Sequence, residues 1–490
     1  MSYVIMDLFL PIDFFSSWRF ELYVLLTALV LVLISWVWLF IKSLRSYMKT
    51  PVIRNTAVEI SENNKKNLSN DQPFVSVIVP ARNEEDNIRK CLLSILKQEY
   101  SNFEVIAIDD NSEDRTLKIM KEISSKELPS KKKLTVVSLS AKPDSWMGKA
   151  WASQQGYLNS RGEILLFTDA DSFFESKFAI RLTVAQMLSE KLDALTGVPY
   201  LPLIDFWSKV VMPIWNLYSE VFNRGIADAN DPRSNVAFVM GSFFMIKRVV
   251  FETIGTYKCV KDEIQEDRAI GKLLKTSQYR LKMFKIDRLV SALWSRDISS
   301  LWHGIRRTIT PALVDNKSII ISHQLLLFAM VALPFLLLPY NAAMLYGRSS
   351  YIPQSSVVSD LQNNNTLILS STAPDSSGGV LQSHIQSFIP NYPFVLNPAN
   401  KEESYLKNIL FWLDLSLCLL VITATGIKSL MKYRLVPFYS VLCFIGGSFL
   451  IASYAYSTFP LLIGLGMKPV KWRGRAHFLH SNYNEKNKTI

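Results

Sequence analysis

Charged residues are scarce in this chain of 490 residues: they make up 20% of it, against about a quarter in a typical soluble domain. The deficit is local, because several windows of about 20 residues carry no charge at all, and a helix of that length can cross a bilayer. Hydrophobic residues account for 49% of the chain. This composition excludes a wholly disordered chain and an enzyme without a membrane-associated part.

Cysteine is also scarce, and its pattern excludes two kinds of site. The chain has four cysteines with no C-x-x-C pair among them, and its histidines lack the spacing of metal ligands. Neither a disulfide framework nor a zinc site is indicated, and a reducing compartment is expected. We expect isolated buried thiols at Cys91, Cys259, Cys418 and Cys443.

Acidic residues are outnumbered by basic ones, 42 against 54, which gives a net charge of +12. A basic surface beside apolar segments favours anionic lipid headgroups or a phosphate-bearing substrate. No run of Lys and Arg is interleaved with aromatic residues in a recognisable module. Nucleic acid is therefore not expected as a partner.

The apolar segments predict a protein integral to the cell membrane, with several spans. The first segment, residues 22–41, follows acidic residues and precedes basic ones, which is typical of a retained anchor whose C-terminal end faces the cytoplasm. By the same rule, the second segment (318–340) leaves the cytoplasm and residues 341–407 form an extracytoplasmic loop. The domain between the first two segments is expected on the cytoplasmic side.

The last apolar stretch, residues 436–466, has basic residues on both sides. One long helix would put the second basic group outside, against the positive-inside rule. We favour a hairpin, or a span with a re-entrant piece, broken near Pro460. The predicted regions are 1–49 with the anchor, a polar linker 50–72, a soluble domain 73–317, a span 318–340, the loop 341–407, C-terminal spans in 408–467 and a basic tail 468–490.

The central domain has the pattern of an α/β fold. Short apolar strands at residues 75–79, 105–108 and 164–167 alternate with helical patterns such as residues 85–98. Strands that are apolar throughout and separated by helices predict a mostly parallel sheet covered on both faces. The helix at 85–98 is expected to bury one face, formed by Ile88, Leu92, Ile95 and Leu96.

Acidic side chains stand where such a sheet holds its ligand. Asp109 and Asp110 follow one strand, and Asp169 and Asp171 follow another. Ligands of open α/β sheets bind beyond the carboxyl ends of the strands, so both pairs are expected at one edge. A D-x-D sequence by itself is usually a solvated turn, but here it coincides with a second acid pair at a strand end. The two carboxylates of the D-x-D are candidates to share one divalent ion.

The first strand also ends in polar residues. Asn83 is predicted to cap the following helix, whose first turn then holds acidic residues that favour the helix dipole. Arg82 is expected to point into the crevice at the strand ends. The cap accounts for the glutamates of this segment but not for the arginine.

Four segments in order resemble the motifs of the family-2 glycosyltransferases: Ser76–Glu84 (SVIVPARNE), Asp109–Thr116 (DDNSEDRT), Asp169–Asp171 (DAD) and Ile264–Asp267 (IQED). These are inverting enzymes of the GT-A fold that use nucleotide sugars. The resemblance covers roughly residues 74–308. It implies a Rossmann-like α/β domain with a mostly parallel sheet, in addition to the transmembrane α-helices.

The resemblance also implies roles for individual residues. Asp267 would be the catalytic base, with Glu266 beside it for orientation. Asp169 and Asp171 would hold Mg²⁺ or Mn²⁺ on the donor diphosphate. The nucleotide-sugar-binding residues would be Pro80, Arg82, Glu84, Asp109, Asp110, Lys149, Asp169, Arg306 and Arg307.

Two further segments are similar to the membrane-bound branch of the family. Trp146–Ala150 (WMGKA) and Trp472–Arg475 (WRGR) resemble segments of hopanoid-associated, carotenoid and ceramide glycosyltransferases. Trp302–Arg307 (WHGIRR) stands where membrane synthases often have Q-x-x-R-W, and this departure disfavours a processive polysaccharide synthase. Trp302 and Trp472 are candidates for interfacial anchors and equally for substrate contacts.

The sequence thus predicts a membrane-bound glycosyltransferase of the hexosyltransferase type. It would transfer a sugar from a nucleotide-sugar donor to the hydroxyl of a membrane lipid at the cytoplasmic face. One alternative is a polyprenyl-phosphate sugar transferase, whose acceptor is already an anion and has less need of a base. A second alternative is a non-catalytic scaffold that retains a glycosyltransferase-like domain.

Overall fold

The computed structural model describes residues 18–53, 72–126, 133–222, 226–234, 236–314, 322, 324–346, 398–462, 470–472 and 475–477. Most of the predicted linker (50–72), most of the predicted loop (341–407) and most of the basic tail lie outside the described residues. The chain divides into two units, one of residues 1–35 and 332–420 and the other of residues 36–331 and 421–490. The second unit contains the α/β domain.

A seven-stranded mixed sheet forms the centre of this domain. Its strand order is β3-β2-β1-β4-β7-β6-β8. All neighbours are parallel except β7, which runs antiparallel to β4 and to β6. The strands are β1 Val75–Ala81, β2 Phe103–Asp109, β3 Lys133–Ser138, β4 Ile164–Phe167, β6 Ala194–Val198, β7 Phe244–Lys247 and β8 Leu281–Lys285, with β5 Ser172–Phe174 and β9 Val290–Ala292 in a small antiparallel sheet.

Helices cover both faces of the sheet. On one face α2, α3 and α5 pack against residues such as Val77 and Val79, and on the other α4, α8 and α9 pack against Ile78 and Ile108. The predicted mostly parallel α/β class is therefore confirmed. The helices of the α/β domain are α2 Ile88–Leu96, α3 Thr116–Lys126, α4 Gly148–Leu158, α5 Ala179–Ser189, α6 Phe206–Phe222, α7 Ile226–Asn230, α8 Arg248–Thr253, α9 Glu266–Thr276 and α10 Ile298–Val314.

The helix after β1 differs from its prediction at the N-terminal end. It begins at Ile88 rather than at residue 85, although the four predicted apolar residues are all buried. Asn83 does not cap it: its φ is +53°, and its side-chain oxygen accepts a hydrogen bond from the backbone N–H of Glu113 at 2.9 Å. Asparagine tolerates this left-handed conformation. Because its side chain bonds to Glu113 and not to the helix, the cap prediction is wrong.

Among the residues that the structure describes, four helices are long and apolar enough to cross a membrane. They are Phe20–Lys49, Gln324–Leu345, Glu402–Tyr433 and Pro437–Pro460. They correspond to α1 Trp18–Lys49, a π-helical turn Phe328–Ala332 with α11 Leu333–Tyr346, α12 Pro398–Tyr433, and a 3₁₀ turn Pro437–Leu442 with α13 Cys443–Leu462.

The last of these helices corrects the expected break near Pro460. Helix α13 continues through Pro460 to Leu462. Proline removes only one hydrogen bond here, in the last turn, and apolar membrane helices tolerate such a loss. Up to Leu462 the final apolar stretch is one helix after a short 3₁₀ turn; residues 463–466 lie outside the described residues, so the hairpin or re-entrant arrangement stays a prediction.

The first unit contains a buried polar contact between two candidate membrane helices. Asp414 of α12 is fully buried and accepts a hydrogen bond from the side-chain amide of Asn341 on α11 at 2.9 Å. A carboxyl group inside an apolar bundle is costly unless it has such a partner. The pair therefore specifies how α11 and α12 pack in this unit.

Gly162, two residues before β4, approaches the start of β1 closely and is predicted to be sensitive to substitution. A Cβ on Gly162 would collide with the backbone nitrogen of Ser76 and lie 2.8 Å from the carbonyl oxygen of Phe74. Because backbone atoms cannot move aside, Gly162→Ala should destabilise the protein by about 2 kcal/mol. Gly304→Ala is the control: its Cβ would lie 3.3 Å or more from the Trp294 ring, so thermal unfolding in detergent should change much less. Equal effects of the two changes would contradict this account.

Candidate active site

Three strand ends and one helix start converge at the carboxyl edge of the sheet. Ala81 of β1 is in register with Asp109 of β2, and Ile78 of β1 with Phe167, the last residue of β4. The side chains that follow these strands therefore share one edge. The antiparallel strand β7 starts at the same end, since Phe244 pairs with Phe167.

Lys149 links the two acidic motifs. Its ammonium group lies 2.7 Å from Oδ1 of Asp169 and 3.3 Å from Oε1 of Glu266. Burial alone would lower the pKa of Lys149, but the negative charges of Asp169, Glu266 and Asp267 outweigh it and hold that pKa well above its ordinary value. The D-x-D after β4 and the Glu-Asp pair of α9 thus meet on one cation.

Gly241 lies directly against this group of charges. A Cβ at this position would collide with Nζ of Lys149 and lie 3.1 Å from Oδ2 of Asp267 and 3.3 Å from Oδ2 of Asp169. The backbone before β7 can therefore approach the charged group only because residue 241 has no side chain. The pocket here is lined by these residues together with Pro80, Ser153, Thr168, Val239, Tyr257 and Glu266.

Glu266 is the most perturbed carboxyl group of the pocket. Burial raises the pKa of Glu266 from an ordinary value of 4.5 to about 7, and the charge of Asp267 acts in the same direction. The positive charges of Lys149 and Arg307 oppose this rise. Helix α9 begins at Glu266, so both acids lie in its first turn.

The D-x-D pair has the chemistry of an incomplete metal site. Asp169 and Asp171 are both partly buried, and the backbone carbonyl of Asp171 accepts a hydrogen bond from Leu293 at 3.0 Å. Among the described residues no group of three His, Cys, Asp or Glu side chains is arranged to hold a metal ion. Magnesium is often held by one or two carboxylates together with water and substrate phosphate. The donor set therefore fits a divalent ion that arrives with a diphosphate.

Cys91 lies beneath these carboxylates and is buried. Burial raises the pKa of its thiol well above the ordinary value, and the charges of Asp171, Glu84 and Asp169 add to the rise. Its Sγ is 3.7 Å from the carbonyl oxygen of Asp169. Cys91, Cys418 and Cys443 are buried free thiols as expected, whereas Cys259 is exposed.

Asp109 and Asp110, predicted to hold the nucleoside, are buried at the end of β2. Oδ2 of Asp109 accepts a hydrogen bond from the backbone N–H of Ser112 at 3.4 Å. Its Oδ1 is buried and has no hydrogen-bond partner among the residues that the structure describes. Such an oxygen is costly to bury without a donor, which makes it a candidate to receive one from a ligand.

Arg82 and Glu84 hold the edge of the sheet together. Arg82 is buried and donates to the carbonyl oxygen of Asp110 at 2.7 Å and to the Glu113 carboxylate at 2.8 Å. Glu84 is buried and lies 3.2 Å from the guanidinium group of Arg296. These contacts fix the loops that follow β1 and β2. A direct contact of either residue with a nucleotide stays a prediction.

The two consecutive arginines of α10 have different surroundings. Arg307 is close enough to Glu266 for its charge to affect that carboxyl group. Arg306 is buried, with its guanidinium group 4.7 Å from the centre of the Tyr456 ring and its Nε 3.4 Å from Oγ of Ser457, both on α13. Of the pair predicted to neutralise a diphosphate, only Arg307 lies by the acidic cluster, and Arg306 instead packs against α13.

The C-terminal WRGR segment is only partly described. Its first and last residues belong to two short antiparallel strands, β10 Val470–Trp472 and β11 Arg475–His477. Strand β10 packs beside α10, which carries both arginines. Residues 473 and 474 lie outside the described residues, so a substrate role for this segment is left as a prediction.

Sequence reasoning missed several residues of the pocket. Ser153 follows Lys149 by one turn of α4, and this i, i+4 spacing was a usable signal. Val239 and Tyr257 come from a loop and a 3₁₀ turn, and no spacing related them to the acidic motifs.

Comparison with known proteins agrees with the motifs. Residues 76–255 match the family model described as Glycosyl transferase family 2. The predicted resemblance to this family is therefore confirmed over residues 76–255, and the mostly parallel sheet agrees with the predicted fold class.

The curated relatives are matched over part of their length. A probable glycosyltransferase, YdaM, from Bacillus subtilis is 28% identical over 185 residues, which are 37% of this chain and 42% of that protein. The 4,4'-diaponeurosporenoate glycosyltransferase of Staphylococcus haemolyticus is 24% identical over 227 residues, 46% of this chain and 58% of the relative. The chain thus spans about half the length of these relatives.

Among solved structures, a mannosyltransferase from Pyrobaculum calidifontis in complex with GDP-Man and Mn²⁺ superposes with a TM-score of 0.39 at 16% identity, over 83% of this chain and 99% of that one. Glucosyl-3-phosphoglycerate synthase from Mycobacterium tuberculosis, in complex with Mn²⁺, UDP and glucosyl-3-phosphoglycerate, has a TM-score of 0.33 at 18% identity, over 49% and 79% of the two chains.

The raised pKa of Glu266 predicts a pH-dependent stability. Since the folded protein holds this proton more tightly than the unfolded chain, the contribution is present at low pH and is lost as pH rises through about 7. Between about pH 5 and pH 8, the wild-type protein should lose on the order of 2 kcal/mol relative to Glu266→Gln. Thermal unfolding of both proteins in detergent across this range measures the difference. A difference that stays constant with pH would contradict the assignment.

Proposed function

We propose that this chain is a membrane-bound inverting glycosyltransferase that moves a sugar from a nucleotide-sugar donor to the hydroxyl of a lipid acceptor. The reaction takes place at the cytoplasmic face of the cell membrane. The observation that carries this proposal is the contact of Lys149 with Asp169 and Glu266, beside Asp267. It brings two motifs of a family 2 domain into one pocket: the D-x-D, expected at the diphosphate, and the Glu-Asp pair, expected at the acceptor.

The chemistry follows from the charges in this pocket. The Asp267 carboxylate accepts the proton of the acceptor hydroxyl as its oxygen attacks the anomeric carbon. Glu266, at the start of the same helix, orients the acceptor and Lys149. Because one displacement occurs from the face opposite the leaving group, the configuration of the sugar inverts.

Positive groups of the chain stabilise the departing diphosphate. Lys149 is already charged, and a phosphate oxygen in place of Asp169 would keep it paired. Arg307 supplies a second positive charge on the side of Glu266. Asp169 and Asp171 would hold Mg²⁺ or Mn²⁺, which when bound offsets the negative charge of the diphosphate.

The nucleoside would lie beyond the ends of β1 and β2. The buried Oδ1 of Asp109 supports this place, because a donor group of the base or ribose would satisfy it. Pro80 lines the pocket on the same side. The residues proposed for the nucleotide sugar are Pro80, Arg82, Glu84, Asp109, Asp110, Lys149, Asp169 and Arg307.

A lipid acceptor is supported by the surroundings of α10. The Trp302 ring packs at 5.3 Å from the Phe449 ring and 5.7 Å from the Tyr456 ring, both on the candidate membrane helix α13. The helix that carries Arg307 is thus held against an apolar span. An acceptor hydroxyl on a membrane lipid would reach the pocket from that side.

A polyprenyl-phosphate acceptor is the rival within the same enzyme class. Its phosphate is already an anion, so it needs no strong base. The Glu266–Asp267 pair next to Lys149 favours the hydroxyl acceptor. We retain the predicted division of the chain, with residues 73–317 as the catalytic domain, as part of the proposal.

Replacement of the proposed base tests the function. Asp267→Asn keeps the size of the side chain but removes its basicity, so sugar transfer should fall by about 10²–10⁴-fold while donor affinity stays nearly unchanged. Glu266→Gln should cost less. Purified protein in detergent is first given a panel of nucleotide sugars, and release of nucleoside diphosphate identifies the donor for both measurements.

Two results would overturn parts of this proposal. Normal transfer by Asp267→Asn together with a dead Glu266→Gln would make Glu266 the base. Full wild-type activity in excess chelator would remove the metal from Asp169 and Asp171. No release of nucleoside diphosphate from any donor would count against the whole function.

The membrane orientation is tested by cysteine labelling of intact cells. In a Cys259→Ser background, which removes the exposed native thiol, an impermeant maleimide should label Ser404→Cys. It should label Ser125→Cys, an exposed position of the catalytic domain, only after the cells are permeabilised. The reverse pattern would place the domain outside, away from nucleotide sugars made within the cell.

A further inference from the structure

Helix α10 contains a proline that frees a backbone carbonyl beside the pocket. The helix runs from Ile298 to Val314, and Pro311 lies within it. Proline has no N–H, so the carbonyl group four residues earlier, that of Arg307, receives no hydrogen bond from the helix. Such a group needs a donor from elsewhere in the protein.

The donor is the side chain of Gln265. Its Nε2 lies 3.5 Å from the carbonyl oxygen of Arg307 and 3.3 Å from that of Thr308. Gln265 occupies the N-cap position of α9, but its side chain does not cap that helix. Its amide extends instead to the neighbouring helix, where it lies between the carbonyl oxygen of Thr308, which is nearer, and that of Arg307, which the proline frees.

This contact joins the two elements that carry the acceptor side of the pocket. Gln265 directly precedes Glu266 and Asp267, and the backbone carbonyl of Asp267 accepts a hydrogen bond from Val239 at 3.2 Å. The same contact fixes the backbone of Arg307, whose charge acts on Glu266. One amide therefore sets the distance between the carboxylate pair and the arginine.

We propose that Gln265 is a positioning residue for the transfer reaction, acting through its hydrogen bonds to the carbonyl groups of α10 around the Pro311 gap. It touches neither donor nor acceptor, and it fixes where the first turn of α9 presents Glu266 and Asp267. This proposal rests on the proposed function for its kinetic consequence. Its structural consequence can be measured without activity.

Gln265→Met tests the proposal, because methionine has a similar length and no hydrogen-bond donor. The kcat for sugar transfer should fall by about 10–100-fold, the size expected for a small misplacement of reacting groups. The KM for the donor should change by less than about threefold, since the nucleotide lies at the ends of β1 and β2. Gln186→Met, the same change on α5 far along the chain, is the control and should leave both constants unchanged.

Pro311→Ala distinguishes a role of Gln265 in positioning α9 from the mere supply of a hydrogen-bond donor to the free carbonyl group of Arg307. It returns an N–H to α10, so the double variant Gln265→Met with Pro311→Ala should regain the thermal stability lost in Gln265→Met. Its kcat should remain low, because the link to α9 is still missing. Recovery of both stability and kcat in the double variant would overturn the proposal, as would an unchanged kcat in Gln265→Met.

Hydrogen exchange provides the readout that is independent of catalysis. The amide of Ala269 donates to the carbonyl oxygen of Gln265 at 3.0 Å and reports the first turn of α9. Its exchange should accelerate in Gln265→Met and in the double variant, and not in Gln186→Met. Unchanged exchange would overturn the proposal. A wild-type protein that transfers no sugar would refute the proposed function, and the exchange result would still decide the role of Gln265.

Discussion

The ion pairs of Lys149 are the interaction on which the pocket depends. Asp169 lies far along the chain from the adjacent Glu266 and Asp267, and the three carboxylates would repel one another at these distances. A single partly buried cation, Lys149, lies between them and offsets that repulsion. Gly241 completes the arrangement, because a side chain there would occupy the place of the ammonium group.

The charges around Lys149 also favour a change in its ion pairs when the donor binds. One lysine does not neutralise three carboxylates, and Glu266 compensates by a pKa near 7. A diphosphate that arrives with a divalent cation adds positive charge next to Asp169 and offers Lys149 a second anionic partner. Lys149 can then turn from Asp169 towards the phosphate without losing its charge pairing. In this scheme the free protein keeps its acidic motifs together with a group that later serves the leaving group.

Much of the site could be predicted from sequence because strand ends in a parallel sheet share one edge. Asp109, Asp169 and the Glu-Asp pair were placed by that rule and by the family motifs. What could not be predicted depends on tertiary contacts: Arg306 and Arg307 differ by one position on α10 and face different partners. Asn83 looked like a helix cap, yet its left-handed backbone and its bond to Glu113 are set by the neighbouring loop.

Helix α10 connects the pocket to the candidate membrane helix α13 of the same unit. On one side Arg306 and Trp302 pack against Tyr456 of α13. On the other, the carbonyl group freed by Pro311 receives the amide of Gln265, next to the proposed base. A shift of α10 relative to the span would therefore move the carboxylate pair as well. If the proposed function holds, α13 would therefore belong to the structure that positions Asp267, and a lipid acceptor held against it would lie in a fixed relation to that residue.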